Sequence, residues 1–310
     1  MNVLFLSPND PAPWLKALRR HLGEADVFVG GVDDYDRAAI DYACVWKPKP
    51  GVLAGLPNLK GIFNLGAGVD ALSADATFPR NVPLVRLVDP ELSQGMVEYL
   101  VHWVLHFHRG FHTYARQQTA QDWTPHAYPA ANTRSVGIMG LGELGQNVAH
   151  ALLMLGFENL SGWSRSKKEL PGLKSYAAQA DLKPFLESCD ILINLLPVTD
   201  ATKGLINAEI LTQLPDGAFF INAGRGETVV DEDLITALKS RRIAAAALDV
   251  FNDEPLPRDH TYWGLDNAHI TPHIASLTNP MSAAQAVATA LRAWEDDETP
   301  DNLVDLDQGY

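Results

Sequence analysis

The sequence is short of cysteine, of positive charge and of long apolar runs. Its 310 residues hold 2 cysteines, Cys44 and Cys189. They make neither a disulfide framework nor a ligand cluster, and a reducing cytoplasm is the simplest compartment for them. Lysine and arginine number 24 against 38 aspartates and glutamates, a net charge of -14. That balance repels phosphate-rich surfaces, so it excludes non-specific binding to nucleic acid or to an anionic membrane. It leaves room for a local basic patch that holds one phosphate. No apolar run reaches the roughly 18 residues that span a bilayer. The start, MNVLFLSPND, lacks a cationic lead and a long apolar core. It reads as a first strand ended by Ser7 and Pro8, not as a signal peptide. No repeat or low-complexity segment is present.

Hydrophobic residues are plentiful, at 46%, and the length predicts two domains with sizeable cores. The stretch that organises the chain is 135–155, SVGIMGLGELGQNVAHALLML. An apolar run over 136–139 predicts a buried parallel strand. Gly140, Gly142 and Gly145 follow in G-x-G-x-x-G spacing, and Leu144, Val148, Leu152 and Leu155 then form one helical stripe. A dinucleotide site needs this order: one glycine for the tight turn, one for close approach of the pyrophosphate, one for helix–strand contact. Glycines in such a turn can also be purely structural, so the motif acquires meaning from its context.

Strands are expected at 3–6, 27–29, 43–46, 62–65 and 84–87, with a helix over 13–21. Beyond the glycine turn, strands are expected at 160–163, 191–195, 218–222, 244–250 and 269–271. Helices are expected near 208–214 and 231–241. This alternation predicts an α/β protein with two doubly wound parallel sheets. A final helix over 281–294 follows Asn279-Pro280 and is expected to return to the first unit. The segment NLGAGVD, 64–70, is either a loop that needs small residues or a row of N–H groups offered to an anion. A long helix is expected over 94–118. It carries His102, His106, His108 and His112, two pairs of which have i, i+4 spacing. No third ligand or general-base carboxylate completes a metal pattern, so no metal is assigned and the four are read as helix-surface or interface histidines.

An NAD site usually places Asp or Glu at the end of the second strand, on the ribose hydroxyls. Here that strand runs into Ser164, Arg165, Ser166, Lys167 and Lys168, with Glu169 only later. The turn is either an ordinary solvated basic turn or a 2′-phosphate site in an otherwise acidic chain. Arg165 would stack on adenine and pair with the phosphate, Ser166 would hydrogen-bond it and Lys167 would add charge. The second reading is adopted, giving NADPH over NADH.

Three polar residues follow strands that end at one edge of this sheet. Arg225 stands in INAGRGETVV, Glu254 in LDVFNDEPLP and His273 in HITPHIAS. Ligands in open parallel sheets bind beyond the carboxyl ends of the strands. Arg225 suits the carboxylate of a 2-keto acid as a bidentate partner. His273, as imidazolium, suits proton donation to the keto oxygen, with Glu254 favouring its charged form. Singly each has a structural alternative: a salt bridge, a solvated carboxylate, a satisfied buried histidine.

The glycine turn, NAGRG, LDVFNDEPLP and TPH, in this order, resemble the D-isomer-specific 2-hydroxyacid dehydrogenases over nearly the whole chain. YACVWKPKP, NLGAGVD, WSRSKK, INLLP, LPDGAFFINAGRG and the terminal GY resemble their bacterial glyoxylate/hydroxypyruvate reductase A subgroup. The resemblance implies two Rossmann-like domains with a cleft between them: a discontinuous, flavodoxin-like substrate domain, 1–95 plus 276–310, and an NADP-binding domain, 96–275. It implies NADPH-dependent reduction of glyoxylate and hydroxypyruvate in the cytoplasm, by a homodimer formed partly by the long helix. The catalytic set is then Arg225, Glu254 and His273. The cofactor set is Gly140, Leu141, Gly142, Glu143, Leu144, Gly145, Trp163, Ser164, Arg165, Ser166, Lys167, Leu196, Pro197, Ala223, Gly224 and Asp249, with NAD as a possible second cofactor. Substrate would meet Trp46, the backbone of Gly66, Ala67 and Gly68, and Arg225 and His273. Where close relatives are expected to carry histidine after the tryptophan, this chain has Lys47. That cation either favours a more anionic substrate or points to solvent. The alternatives are a reductase of the same family for a bulkier keto acid, and a non-catalytic nucleotide-sensing protein.

Overall fold

A computed structural model describes residues 1–23 and 25–306. The terminal Gly309-Tyr310 pair lies outside the described residues. In chain order the elements are β1 (Asn2–Leu6), α1 (Ala12–Leu22), β2 (Asp26–Val29), β3 (Tyr42–Val45), β4 (Gly61–Asn64), α2 (Asp70–Ser73), β5 (Leu84–Arg86) and α3 (Pro90–His108). Then come α4 (Phe111–Ala120), β6 (Val136–Met139), α5 (Glu143–Met154), β7 (Leu160–Ser164), β8 (Leu173–Ala177), α6 (Leu182–Leu186), β9 (Ile191–Asn194) and α7 (Ala208–Gln213). The last are β10 (Ala218–Asn222), α8 (Asp231–Lys239), β11 (Ile243–Leu248), β12 (Ala268–Ile270) and α9 (Pro280–Glu295). None of the helices among the described residues is long and apolar enough to cross a membrane.

The chain forms two compact units, Met1–Leu92 with Leu277–Tyr310, and Ser93–Ser276. The first holds a parallel sheet of order β2-β1-β3-β4-β5. Its central strands YACV and GIFN are buried along their whole length, as a sheet covered on both faces requires. Leu4, Ile62 and Leu84 are at most 1% exposed, each burial being worth about 1.5–3 kcal/mol. Helix α9 completes this unit. The Trp294 ring stacks on Tyr42 with centroids 5.6 Å apart, and the Tyr42 hydroxyl donates to Glu295 Oε1 at 2.7 Å. Gly61 leaves room for the indole, since a Cβ there would lie 2.7 Å from it.

The second unit holds a seven-stranded parallel sheet of order β12-β11-β10-β9-β6-β7-β8. Its strand order reverses between β6 and β9, so the crevice for a ligand lies past their carboxyl ends. Besides the short helix α6, which the sequence did not announce, two features differ from the sequence expectation. The single helix expected over 94–118 is two helices, because Gly110 adopts a left-handed backbone (φ 71°) between α3 and α4, a conformation that ends a helix. Strand β8 was not expected. Only Tyr176 of its five residues is buried, so this edge strand has no apolar run.

Candidate active site

The glycine turn is built around the reversal point. Gly140 follows β6 with φ 101°, open to glycine at little cost. A Cβ on it would lie 2.8 Å from the Leu195 carbonyl oxygen. A Cβ on Gly145 would collide with the Gly140 carbonyl, so this glycine lets α5 lie against the turn. Gly142 is different. Its φ is -72° and a Cβ there would meet nothing within 4 Å. Neither backbone strain nor packing requires glycine at 142, and the open space there would admit close approach of a phosphate. No side chain caps α5, so its first-turn N–H groups face outward, and a helix start in that state suits an anion. Leu141, by contrast, is buried against Gly162.

The basic turn follows β7. Gly140 N–H donates to the Trp163 carbonyl at 2.9 Å, which ties this strand end to the glycine turn. Ser164 Oγ donates to the Ser166 carbonyl at 2.8 Å and shapes the turn. Arg165, Ser166 and Lys167 are exposed. The residues present therefore fit a dinucleotide with a 2′-phosphate: a glycine turn with open space at 142, and cationic and hydroxyl donors where an acid would meet bare ribose hydroxyls.

Past β9 and β10 a buried polar ladder holds the Arg225 backbone. Asn194 Nδ2 donates to Asn222 Oδ1 at 2.9 Å and to Thr228 Oγ1 at 2.8 Å. Asn222 Oδ1 also accepts from Gly224 N–H, while Asn222 Nδ2 and Thr228 Oγ1 both donate to the Arg225 carbonyl. These side chains are at most 1% exposed, where an unpaired polar group is costly. Sequence reasoning did not find this ladder. Gly224 and Gly226 close the turn tightly: a Cβ on Gly224 would lie 2.9 Å from the Leu196 carbonyl, and one on Gly226 would collide with Phe251. Arg225 is left half-buried, with Nη1 donating to the Gly224 carbonyl at 2.8 Å. Leu196 and Ala223 are buried beside this turn, and Pro197 is half-buried.

Glu254 and His273 meet in space. His273 Nδ1 lies 2.8 Å from Glu254 Oε2, and their side chains are 35% and 27% exposed. Glu254 Oε1 accepts from the Phe251 N–H at 3.2 Å. A carboxylate only accepts, so Nδ1 carries the proton. That leaves Nε2 as the second nitrogen, free to donate when the ring is charged. Asp249, next to these strands, is 1% exposed, and its carboxylate oxygens accept from Thr271, Ile274 and Ala275.

In the first unit, the turn after β4 is drawn inward by Asn64, whose Nδ2 donates to the Gly66 and Gly68 carbonyls at 2.8 Å each. The Trp46 ring occupies the place of a Gly66 side chain. Lys47 has φ 44° and carries its Nζ 5.8 Å from the Trp46 ring centroid. The helix histidines go elsewhere. His106 and His112 lie on different helices and gather with His269 of β12, ring centroids 5.2–6.2 Å from His106. Burial holds His106 and His112 down to about 4, helped by neighbouring histidines and, for His112, by Arg116.

Residues 101–275 match the model for the D-isomer specific 2-hydroxyacid dehydrogenase, NAD binding domain. A glyoxylate/hydroxypyruvate reductase A from Serratia proteamaculans is 41% identical over 316 aligned positions that cover all of both chains. The crystal structure of a D-isomer specific 2-hydroxyacid dehydrogenase from Xanthobacter autotrophicus, in complex with NADPH and MES, superposes with a TM-score of 0.96. It is 40% identical, over 100% of this chain and 99% of that one. The NADPH-dependent glyoxylate/hydroxypyruvate reductase from Sinorhizobium meliloti, in complex with NADP and sulfate, gives a TM-score of 0.94 at 34% identity over the same shares. By sequence over its full length and by the fold of both units, this chain belongs to the D-isomer specific 2-hydroxyacid dehydrogenase family.

Proposed function

We propose that this protein is an NADPH-dependent reductase of small 2-keto acids, converting glyoxylate to glycolate and hydroxypyruvate to D-glycerate. The observation that carries the reading is the His273–Glu254 pair at 2.8 Å, at the same carboxyl edge of the parallel sheet as Arg225 and the glycine turn. The reductases named above supply the substrate class. NADPH, when bound, supplies the hydride. The pyrophosphate would be held by the 140–145 turn and the 2′-phosphate by Arg165, Ser166 and Lys167, with Trp163, Ser164, Leu196, Pro197, Ala223, Gly224 and Asp249 completing the surroundings.

Arg225 presents a guanidinium to the substrate carboxylate, a planar, charge-assisted pairing that also draws electron density from the neighbouring keto group. His273 donates its Nε2 proton to the keto oxygen and is left as neutral imidazole. Glu254 keeps hold of Nδ1–H throughout, so the ring stays aimed while Nε2 gives up its proton. Trp46 and the backbone of Gly66, Ala67 and Gly68 are assigned to the substrate as well. The active form is a cytoplasmic homodimer. A panel of keto acids at fixed NADPH tests the substrate class. Glyoxylate and hydroxypyruvate should outpace phenylpyruvate-like compounds in kcat/KM, and the reverse order would overturn the assignment.

A further inference from the structure

His273 has φ 55°, a left-handed backbone that residues other than glycine seldom hold without outside support. The support is one buried side chain and its backbone. The His273 N–H donates to the Asp249 carbonyl at 2.9 Å. The next two N–H groups donate to the Asp249 carboxylate: Ile274 to Oδ1 and Ala275 to Oδ2, both at 2.8 Å. Three successive N–H groups around the histidine thus end on Asp249.

A fourth donor reaches the same carboxylate from the other side of the histidine. Thr271 Oγ1 donates to Asp249 Oδ1 at 2.6 Å. A hydroxyl has one proton, and this bond uses it. The contact between Tyr99 Oη and Thr271 Oγ1, at 2.7 Å, therefore has Tyr99 as donor. Tyr99 belongs to α3, far from the loop in sequence, and burial raises its phenol well above the ordinary range, which keeps the donor proton in place. The order of the chain is fixed: Tyr99 O–H donates to Thr271 Oγ1, Thr271 O–H donates to the Asp249 carboxylate, and that carboxylate holds the Ile274 and Ala275 N–H groups just after His273.

We infer that Tyr99 and Thr271 are positioning residues for His273, acting through Asp249 to lock the left-handed turn that aims the imidazole at its substrate. This inference rests on the role proposed for His273. Without the Thr271 hydroxyl, Asp249 Oδ1 keeps only the Ile274 bond and Tyr99 loses its acceptor, so the loop is free to relax toward an ordinary backbone. The ring then spends less time against Glu254.

Three variants test this: Thr271→Val, which is near-isosteric but lacks the hydroxyl; Thr271→Ser, which keeps it; and Tyr99→Phe. The readouts are kcat and the KM for NADPH with hydroxypyruvate, and the titration of the His273 imidazole followed by NMR. Thr271→Val should lower kcat about tenfold, as loss of aim does, with the KM for NADPH changed by less than about twofold. It should also make the NMR titration of the His273 imidazole differ from the parent's, as a ring released from Glu254 does. Thr271→Ser should stay close to the parent in both readouts, and Tyr99→Phe should show the same changes as Thr271→Val in smaller measure. Parent-like kcat and titration in Thr271→Val would overturn the inference, and so would equal damage in Thr271→Ser. If Thr271→Val does not fold, Tyr99→Phe decides by the same readouts. If the parent reduces no keto acid, the proposed function fails, and the titration alone still decides whether the chain positions His273.

Discussion

His273 Nδ1 and Glu254 Oε2 lie 2.8 Å apart, although 19 positions separate the two residues. The pair gives the imidazole one defined orientation, with Nδ1 committed to the carboxylate and Nε2 left to act. His273→Ala should therefore lower kcat with hydroxypyruvate by at least about 100-fold, the usual worth of a general acid. Glu254→Gln keeps the shape but loses the charge, and should cost about tenfold or more. Steady-state rates check both. Near-parent turnover in His273→Ala would remove the histidine from its role.

We assign the choice of cofactor to the turn after β7. Arg165, Ser166 and Lys167 stand exposed at its tip, with no acid in the place where a ribose hydroxyl would want one. Arg165→Asp should lower kcat/KM for NADPH by about tenfold or more, the loss expected of a charge-assisted phosphate contact. It should raise kcat/KM for NADH. An unchanged ratio between the cofactors would contradict the assignment of this turn.

Two glycines of one motif should behave in opposite ways. A side chain at 142 meets nothing within 4 Å, whereas one at 145 collides with the Gly140 carbonyl. Gly142→Ala should keep the parent Tm and weaken NADPH binding by about tenfold or more. Gly145→Ala should lower the Tm itself. Thermal unfolding and fluorescence titration with NADPH separate the two effects. A Tm loss in Gly142→Ala would make that glycine structural.

The histidine cluster predicts acid lability. His106 and His112 are held down to about 4, first by burial and then by neighbouring charges, and burial lowers His108 and His269 too. In the unfolded chain each binds a proton near pH 6.5. Between about pH 6.5 and about 4 the unfolded state thus holds more protons, and stability falls as pH falls. Above about 6.5 the contribution is fully present. The Tm should drop over this window, and His106→Leu should flatten the drop. An equal slope in parent and variant would show that other groups carry it.

Much of the fold was legible because the central strands are short apolar runs, buried on both faces, and such runs declare themselves. Leu173–Ala177 did not, because an edge strand with one buried residue has no such signature. The break at Gly110 has no proline to mark it, and helix resumes at once at Phe111. At the site, the motifs of Arg225, Glu254 and His273 stand directly after strands, so the sheet alone sends them to one edge. The residues that support them were not legible. Asn194 bonds to groups 28 and 34 positions away, and Tyr99 to one 172 positions away. An asparagine in a strand or a tyrosine on a helix says nothing of such partners until the chain is folded. The partners of the helix histidines were not legible either, since His106 meets His112 across a helix break and His269 from a distant strand.

The most direct test of the account follows the nicotinamide absorbance band while the parent protein meets glyoxylate or hydroxypyruvate with NADPH and, separately, with NADH. Fast oxidation of NADPH with both keto acids, and a clear preference over NADH, is the expected result. Absence of oxidation with either cofactor would contradict keto-acid reduction by the Arg225, Glu254 and His273 set.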